Sequence, residues 1–581
     1  MMLKKTKIVA SISDLRCDVD FIRDLFNAGM NVVRMNTAHA SREGFEQLIA
    51  NVREVSNRIG ILMDTKGPEV RTTKNAEDTT EYKIGDRVKI IGNPEKETVR
   101  GCIYVTYPNF VNDLSVGAKI LIDDGDLELK VTDKDEEALY CEVCNDATLA
   151  SRKSVNVPGV RINLPSLTEK DRNNILYAIE KDIDFIAHSF VRNKQDVLDI
   201  REILNAYGSD IKIIAKIENQ EGVDNIDEIL EVADGIMVAR GDLGIEVPQE
   251  RIPGIQRILI KKCILAKKPV IVATQMLHTM INNPRPTRAE VTDIANAIYY
   301  RTDALMLSGE TAYGKYPVEA LKAMAMIAET TESDTNYESL CHHVGMDSTR
   351  LTISAAVSHA ACTTASDIGA SAIITASKSG ETARLLSRFR PDAPIIACVL
   401  DETTCRQMNV YRGVTPLLMD YAHSTDELIS MSVKAAEDAG LIHSGDRVVV
   451  TAGVPVGVSG TTNMIKVHLV GDTLLTGIGI NPGLNAKGEV CVCRNAEEAA
   501  KKFKAGQILV VPFTTNDILP YMRQAAGIIA EEAGANSHSA IVGLTLGKPV
   551  IIGATHATRT LKDGMKISMD CARGVVQAMS E

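Results

Sequence analysis

The chain of 581 residues is too long for one hydrophobic core, and its length predicts about three or four domains. Its formal net charge of −12 argues against binding to a nucleic-acid backbone, and no stretch approaches the ~20 apolar residues that a membrane span needs. Because the start "MMLKKTKIVASIS" lacks the apolar segment of a signal peptide and the twelve cysteines show no disulfide framework, we expect a cytoplasmic protein without nucleic-acid or membrane partners.

Short apolar runs alternate with helix-like segments over residues 1 to 340. Two capping boxes mark predicted helix starts, Ser166 with Glu169 and Thr287 with Glu290. Eight strand-and-helix units in series predict a (β/α)8 TIM barrel, whose active site lies at the C-terminal ends of its strands. The predicted strands are "KIVASIS", "NVVRMN", "GILMDTKG", "DFIAHSF", "IKIIAKIEN", "DGIMVARGD", "PVIVATQ" and "DALMLSGE".

Polar residues collect at the ends of these predicted strands. In "IIAKIENQ", Lys216 and Glu218 lie two residues apart, so both side chains point to the same side of the strand. Burying the two ions costs several kcal/mol each unless they have partners. The simpler alternative to a functional role is that the two charges only neutralise each other. The other strand ends supply a ring of polar groups, which favours a functional site: Arg34, Asn36, Asp64, Thr65, Ser189, Gly241, Asp242, Thr274, Ser308 and Glu310.

These residue types indicate a Mg²⁺-dependent enzyme that acts on a phosphorylated small acid. Glu218 and Asp242, on adjacent strands, offer the hard oxygen ligands that suit Mg²⁺. Arg34 and Lys216 supply positive charge for an anionic substrate. Carboxylates that hold a metal beside cationic groups are typical of phosphoryl transfer.

Between Arg71 and Pro158 the helical period gives way to alternation with Gly and Asp at turns, which predicts a small β-domain. Inserted after the third strand, it would act as a lid over the barrel mouth. Its "CEVC" pair, Cys141 and Cys144, has no second pair or nearby His, so ordinary strand residues are a better explanation than a zinc site.

Residues 346 to 474 return to α/β alternation, and a fourth unit follows a Gly/Pro linker in "GINPGLNAKGEV". In "TASKSGETARLL", hydroxyl groups lie between a predicted strand and a helix start. Hydroxyls and free N–H groups at a helix N-terminus can cradle a phosphate, although Ser/Gly-rich turns are also ordinary loops. The hydroxyl residues of this loop are Ser377, Ser379 and Thr382.

The motifs together resemble the pyruvate kinase family over nearly the whole of the first 475 residues. The resemblance implies phosphoryl transfer from phosphoenolpyruvate to ADP, which gives pyruvate and ATP in the last step of glycolysis. It also implies Mg²⁺ and K⁺ as cofactors and a homotetramer. The motifs are "NVVRMNTAH", "MDTKGPEVRT", "AKIENQEG", "VARGDLGIEVP", "ATQMLHTM", "NPRPTRAEVTDIANA" and "MLSGETAYGKYP".

The resemblance assigns roles to individual residues. Lys216 matches the lysine that stabilises the transition state, and Glu218 and Asp242 match the Mg²⁺ ligands. Thr274 matches a group near the site of enolate protonation. The remaining matches are Arg34, Gly241 and Thr274 for the substrate, Asn36, His39, Arg71 and Lys153 for the nucleotide, and Asn36, Asp64 and Thr65 for K⁺.

The sequence departs from the family at several positions. Glu69 matches the acidic residue of K⁺-dependent members of the family, so we expect activation by K⁺. Ala38 replaces a serine that is a K⁺ ligand in the family, so we expect the required K⁺ concentration to be higher. Ser154 replaces a hinge glycine of the lid, and "ISDLR" replaces the usual "IGPAS" after the first strand. Asp124 in "DDGD" resembles the lid residue that reaches the active site, with an ordinary acidic turn as the alternative.

By the same resemblance, the Ser377 loop matches the site of a phosphorylated small-molecule effector. The C-terminal segment resembles the phosphohistidine domain of phosphoenolpyruvate-using enzymes, with His538 at the phosphorylated position. We expect an idle or regulatory histidine, because pyruvate kinases pass the group directly to ADP. The expected domains are the barrel (1–71 and 158–345), the β lid (72–157), an α/β regulatory domain (346–474) and a phosphohistidine-like α/β domain (482–581).

Two alternative functions remain at this point. One is a metal-dependent barrel lyase or aldolase of pyruvate-type acids, which would need neither the lid nor Arg71. The other is a regulatory phosphocarrier that acts through His538 and contains an inactive barrel. The complete set of Lys216, Glu218, Asp242 and Thr274 argues against the second.

Overall fold

The computed structural model describes residues 4–37, 41–334, 352–455, 461–471 and 473–579. The chain divides into two compact units, one of residues 1–359 with 377–420 and the other of residues 360–376 with 421–581. Within the described residues, no helix is long and apolar enough to cross a membrane.

The first unit contains a closed barrel of eight parallel strands, as the sequence predicts. Around the barrel the strand order is β1-β16-β15-β14-β13-β12-β3-β2, and β4 to β11 belong to the inserted lid. The strands are β1 (Lys7–Ser11), β2 (Val32–Asn36), β3 (Gly60–Asp64), β4 (Thr79–Tyr82), β5 (Arg87–Gly92), β6 (Cys102–Val105), β7 (Lys119–Ile122), β8 (Leu127–Lys134), β9 (Leu139–Val143), β10 (Ala147–Ala150), β11 (Val155–Asn156), β12 (Phe185–His188), β13 (Lys212–Ile217), β14 (Gly235–Ala239), β15 (Val270–Ala273) and β16 (Ala304–Leu307).

Helices cover the outside of the barrel, and apolar side chains of both layers form one large core cluster. Nearly every residue of the barrel strands is buried, which explains why they read as continuous apolar runs. The helices up to residue 332, of which α3 belongs to the inserted lid, are α1 (Val19–Asn27), α2 (Arg42–Val55), α3 (Phe110–Asp113), α4 (Glu169–Glu180), α5 (Lys194–Ala206), α6 (Gln220–Asp224), α7 (Ile226–Val232), α8 (Arg240–Glu246), α9 (Ile252–Ala266), α10 (Arg288–Tyr299), α11 (Gly309–Ala312) and α12 (Pro317–Glu332).

One of the two predicted capping boxes is correct. Thr287 and Glu290 cap α10 reciprocally. The box predicted at Ser166 is wrong, because Thr168 caps α4 together with the side chain of Asp171. The Ser166 hydroxyl instead donates to the carboxylate of Asp199.

The inserted lid is built from two sheets. Six strands follow the order β11-β7-β8-β9-β5-β6, and β10 pairs with β4 in a separate antiparallel ribbon. Alternating residues of these strands are buried in a core of their own, as expected for a sheet with one solvated face. Cys141 is buried in β9 and Cys144 lies in the following turn, so the CxxC pair belongs to ordinary strand structure.

Buried ion pairs join the N-terminal end of the barrel to the segment 377–420 of the same unit. Both guanidinium NH groups of Arg390 donate to Asp303, just before β16, at 2.7 Å each. Arg406 donates to Asp184, just before β12, at 2.6 Å. All four side chains are almost completely buried. Loss of Arg390 would leave Asp303 as a buried charge without its ion-pair partner, whereas Asp184 also pairs with Arg53 at 3.1 Å.

The part of the chain after residue 351 has α/β character. In the second unit, β17 pairs in parallel with β20, and β20 pairs antiparallel with β21. In the first unit, β18 and β19 pair in parallel. These elements are α13 (Ile353–Asp367), β17 (Ala372–Ala376), α14 (Glu381–Arg388), β18 (Ile395–Val399), α15 (Glu402–Gln407), β19 (Val414–Leu418), α16 (Thr425–Asp438), β20 (Arg447–Gly453) and β21 (Thr462–Leu469).

The C-terminal segment forms an eight-stranded mixed sheet in the order β22-β29-β28-β24-β25-β26-β27-β23. Its parallel part runs from β24 to β27, and the connection between β26 and β27 contains the helix that begins at His538. The elements are β22 (Thr473–Thr476), β23 (Ile478–Gly479), β24 (Asn485–Val492), α17 (Ala496–Lys502), β25 (Ile508–Val511), α18 (Leu519–Gln524), β26 (Gly527–Ala530), α19 (His538–Thr545), β27 (Val550–Ile552), α20 (Ala557–Thr560), β28 (Lys566–Asp570) and β29 (Val575–Ala578).

Candidate active site

A cavity of 380 Å³ opens at the C-terminal ends of the barrel strands. It brings together most of the residues that the sequence analysis selected, from five different strands and the loops after them. Parallel strands of a closed barrel end on the same face, which is why residues far apart in sequence meet there. The lining residues are Arg34, Asn36, Asp64, Thr65, Lys66, Glu69, Arg71, Arg152, Ser189, Phe190, Lys216, Glu218 and Asp242.

Lys216 is the best-connected cation in this cavity. Its Nζ lies 2.9 Å from Glu218 Oε1 and 3.2 Å from Asp64 Oδ1, and it donates to Ser189 Oγ at 2.8 Å. Burial by itself would lower the pKa of Lys216, but the carboxylates of Asp64 and Glu218 outweigh burial and raise it. The ammonium therefore stays charged, and the pair with Glu218 is one part of a larger network.

Arg34 occupies the position next to this network. Its Nε donates to Asp64 Oδ2 at 2.8 Å, its NH2 group also binds that oxygen, and its NH1 group donates to Ser11 Oγ at 3.0 Å. Burial opposes ionisation of Asp64, yet Arg34 and Lys216 outweigh it and hold the pKa of Asp64 below its ordinary value. Asp64 thus carries a full negative charge between two cations.

For Glu218 and Asp242, burial outweighs the nearby cations in setting the pKa, the opposite of Asp64. Burial raises the pKa of Glu218 despite its pair with Lys216, and burial likewise raises the pKa of Asp242. Asp242 lies in the first turn of α8 rather than at the end of β14, where the sequence analysis had placed it. Glu218 is buried and Asp242 is half-buried. Two carboxylates whose ionisation is disfavoured by burial suit a hard divalent cation, which would stabilise their charged forms.

The donor set fits Mg²⁺ better than a metal that needs an all-protein cage. Within the described ranges, no cluster of three or more His, Cys, Asp or Glu side chains could hold a metal. Two carboxylates leave the remaining positions of an octahedral Mg²⁺ to water and substrate oxygens, which is the usual arrangement for that ion.

Thr274 and Gly241 meet beside the cavity. Thr274 Oγ1 accepts a hydrogen bond from the Gly241 N–H at 2.8 Å and donates to the Ala273 carbonyl at 2.6 Å. Thr274 has a φ of +68°, a left-handed conformation that a Thr residue rarely adopts. Arg240 holds this strained loop by donating to the Thr274 carbonyl at 2.7 Å.

A second cavity of 720 Å³ lies between the lid and the barrel loops. Arg71 and Lys153 both line it, and Lys153 pairs with Asp123 of the lid at 2.7 Å. Arg71 binds the carboxylate of Glu69 and donates to the Arg152 carbonyl at 2.9 Å. The candidate nucleotide residues of the barrel-to-lid junction therefore face one cleft.

The lid turn that contains Asp124 is hydrogen-bonded to Ser154, at the predicted hinge of the lid. The Ser154 hydroxyl donates to Asp124 Oδ1 at 3.0 Å, where the family pattern has a glycine.

Asn36 lines the barrel cavity, whereas His39 and Ala38 lie outside the described residues.

Two groups that hold this site were missed as site residues by sequence reasoning. Ser189 was noted only as a strand end, although its hydroxyl binds Lys216. The Phe190 N–H donates to Glu218 Oε2 at 2.6 Å, and a backbone donor leaves no side-chain signal in a sequence. Glu310 is buried and accepts from the Leu277 and Ser308 N–H groups, so it supports loops and does not line the described cavities.

Comparisons with known proteins agree with this geometry. The profile for the barrel domain of pyruvate kinase matches residues 3–321, and the profile for its alpha/beta domain matches residues 355–468. The chain is 48% identical to a pyruvate kinase of Geobacillus stearothermophilus over 587 aligned positions, which cover 99% of both chains. The chain belongs to the pyruvate kinase family. It is therefore a phosphotransferase, as the motifs predict.

Other members give the same result. Pyruvate kinases of Bacillus licheniformis and Staphylococcus aureus (strain USA300) are 47% and 43% identical, each over 99% of both chains. A crystal structure of a pyruvate kinase from Cryptosporidium parvum superposes with a TM-score of 0.77 at 37% identity, covering 81% of this chain and 96% of that one. The family resemblance and the predicted fold class are confirmed.

The candidate effector loop follows β17 and leads into α14. Ser379 is exposed, Ser377 is half-buried, and Thr382 is buried in the first turn of the helix. Gly380 precedes the helix with a φ of +72°, and a side chain there would meet Met408 at 2.6 Å. The predicted placement between a strand and a helix start is correct.

The profile for the mobile domain of PEP-utilising enzymes matches residues 503–574. His538 is the first residue of α19, at the helix N-terminus that the sequence predicts. Its Nε2 lies 3.2 Å from Asn516 Oδ1 and its Nδ1 lies 2.7 Å from Thr514 Oγ1. Because a carbonyl oxygen only accepts, Nε2 donates to Asn516 Oδ1, while Nδ1 shares a hydrogen bond with the Thr514 hydroxyl.

Proposed function

We propose that this chain transfers the phosphoryl group of phosphoenolpyruvate to ADP, which gives pyruvate and ATP, at the barrel cavity. The observation that carries the proposal is the charged Lys216 ammonium, held between Asp64 and Glu218 at the strand ends beside Arg34. A fixed cation at this point suits the charge that develops on a phosphoryl group in transit.

Arg34 and Lys216 are the residues proposed to bind the substrate. Arg34 offers a planar pair of donors that matches phosphate geometry, and it would exchange part of its Asp64 contact for substrate oxygens. Lys216 then faces both the departing phosphoryl group and the enolate. The Gly241 backbone and Asp242 complete the proposed substrate contacts.

Glu218 and Asp242 would hold Mg²⁺, which when bound supplies Lewis-acid stabilisation of phosphate and enolate oxygens. The Phe190 N–H keeps one Glu218 oxygen fixed, so the carboxylate has a single orientation in the site. Asn36, Asp64 and Thr65 offer amide, carboxylate and carbonyl oxygens, a hard donor set that suits K⁺. We propose a raised K⁺ requirement because Ala38 removes one oxygen ligand.

Thr274 is proposed to lie near the enolate carbon that receives a proton. Its hydroxyl already donates to the Ala273 carbonyl and accepts from Gly241, so it is held in one orientation. The lid and its cleft support binding of the nucleotide by Asn36, His39, Arg71 and Lys153, and closure would exclude water from the reaction.

The remaining proposals concern organisation and regulation. The proposed domains are the barrel, the lid, the α/β regulatory domain and the C-terminal domain, with the boundaries predicted from the sequence. The loop of Ser377, Ser379 and Thr382 is proposed to bind a phosphorylated effector, and the protein is proposed to be a cytoplasmic homotetramer. Both ring nitrogens of His538 are engaged, which supports an idle or regulatory histidine rather than a carrier.

The test is a joint measurement of pyruvate and ATP formed from phosphoenolpyruvate and ADP. We expect one ATP for each pyruvate, loss of both with EDTA, and activation by K⁺ relative to tetramethylammonium at constant ionic strength. Pyruvate without ATP would support a lyase instead. Equal rates with and without K⁺ would contradict the proposed cation site while leaving the reaction itself intact.

A further inference from the structure

Ser189 makes hydrogen bonds to residues at the ends of two other barrel strands, β3 and β13. It follows β12, and only 3% of its surface is exposed. Its Oγ accepts from the Lys216 ammonium at 2.8 Å and donates to the Thr65 carbonyl at 2.7 Å. Its N–H donates to Thr65 Oγ1 at 3.0 Å. One buried residue therefore contacts both Lys216 and Thr65.

The direction of these hydrogen bonds follows from the chemistry of a hydroxyl group. Ser189 has one proton to donate, and two acceptors lie within reach, the Thr65 carbonyl at 2.7 Å and Asp64 Oδ1 at 3.3 Å. The shorter contact, to the Thr65 carbonyl, takes the proton. Its lone pairs then face the Lys216 ammonium. The three ammonium protons have three neighbours, Ser189, Asp64 and Glu218, and Ser189 is the neutral one.

The neighbouring residue strengthens this arrangement. Phe190 has a φ of +57°, a left-handed conformation that is costly for an aromatic residue. This backbone conformation accompanies the 2.6 Å hydrogen bond from its N–H to Glu218 Oε2. The dipeptide Ser189–Phe190 thus holds Lys216 through a side chain and Glu218 through the backbone.

We propose that Ser189 is a positioning residue that fixes the Lys216 ammonium. Through the Thr65 carbonyl, which accepts its hydroxyl proton, Ser189 also links Lys216 to the proposed K⁺ site, of which Thr65 is a ligand. The inference rests on the proposed function. Without the hydroxyl, the ammonium loses its neutral partner and shifts toward the two carboxylates. The Thr65 carbonyl also loses the donor that orients it, so K⁺ binding and phosphoryl transfer weaken together.

The experiment uses the full chain and two substitutions, Ser189→Ala and Ser189→Cys. Cysteine keeps the shape of the side chain, but its sulfur atom is larger than the serine oxygen and forms much weaker hydrogen bonds. The matched control is Thr302→Val, which removes a buried hydroxyl that donates to the Val270 carbonyl at 3.0 Å at the opposite end of the barrel. Three quantities are measured: kcat, KM for phosphoenolpyruvate, and the K⁺ concentration that gives half of the K⁺-induced rise in Tm.

We expect both Ser189 variants to lower kcat by about tenfold to a hundredfold, the effect of losing a hydrogen bond to a charged group. KM should change much less, because the fixed ammonium is needed most in the transition state. The K⁺ concentration from the Tm titration should rise in both Ser189 variants and stay unchanged in Thr302→Val.

Several results would overturn the proposal. They are wild-type kcat in either folded Ser189 variant, an unchanged K⁺ midpoint, no K⁺ effect on the wild-type Tm, or equal changes in Thr302→Val. If alanine prevents folding, the cysteine variant decides. Failure of the wild-type chain to form ATP from phosphoenolpyruvate would instead refute the proposed function.

Discussion

Substitution of Lys216 by methionine tests the centre of the site. Methionine keeps the length of the side chain and removes the charge that lies 2.8 to 3.2 Å from Ser189, Glu218 and Asp64. Asp64 keeps Arg34 as a partner, and Glu218 keeps the hydrogen bond from the Phe190 N–H. We therefore expect a folded protein that has lost most of its phosphoryl transfer.

The magnitude follows from the charge that is removed. A single cation aimed at a transferring phosphoryl group contributes about 10³- to 10⁵-fold in rate, or about 4–7 kcal/mol of barrier. The loss of stability should be smaller, about 3 kcal/mol, because breaking a buried pair typically costs 3–5 kcal/mol and Arg34 compensates part of it here.

The assay measures pyruvate formation under saturating substrates, with a urea titration of both proteins to check folding. Lys212→Met is the matched control, since Lys212 begins the same strand, β13, at the far end of the barrel. The control should retain nearly full activity. A Lys216→Met protein that keeps a tenth or more of the wild-type rate would refute the role given to this ammonium.

Three further predictions concern other parts of the chain. Arg390→Met should lower the free energy of unfolding by about 3–5 kcal/mol in urea, because it leaves Asp303 charged and buried; no change would show that this pair contributes nothing. Burial, reinforced by Lys4, lowers the pKa of Lys7 to about 7, so the folded chain releases this proton well below the pH at which the unfolded chain does. The unfolding free energy of wild type relative to Lys7→Met should therefore rise by about 1 kcal/mol per pH unit from pH 7.5 to 9.5, and parallel profiles would contradict this. His538→Ala should retain near-normal turnover, whereas acid-labile labelling of His538 from phosphoenolpyruvate, lost in the variant together with ATP synthesis, would show a working carrier.

Much of the fold could be predicted because its signals are local. Barrel strands buried on both faces must be apolar, so runs such as β13 and β15 are visible without any tertiary information. The two-residue period of a strand also determines that Lys216 and Glu218 share a side. The barrel rule then places the polar strand ends on one face.

Other predictions failed where two local solutions compete. Ser166 and Thr168 are both good helix caps, and the choice of Thr168 depends on which residue the incoming chain leaves in extended conformation. Asp242 was expected at a strand end, but the chain turns into α8 immediately after Ala239. Boundaries of this kind depend on packing around the barrel and carry little signal in the sequence.

The sequence by itself determined which groups reach the mouth of the barrel: Lys216, Glu218, Arg34 and Asp64 follow from strand period and strand end. Only the tertiary structure decided which of them pair. Arg34 binds Asp64, and the Ser189 hydroxyl bridges Lys216 to the Thr65 carbonyl, across 27 to 124 residues of chain. The physical reason is that the direction of a side chain follows from its position along its own strand, which is local information. Its hydrogen-bond partners depend on the closure and register of the barrel, which bring distant strand ends within hydrogen-bonding distance.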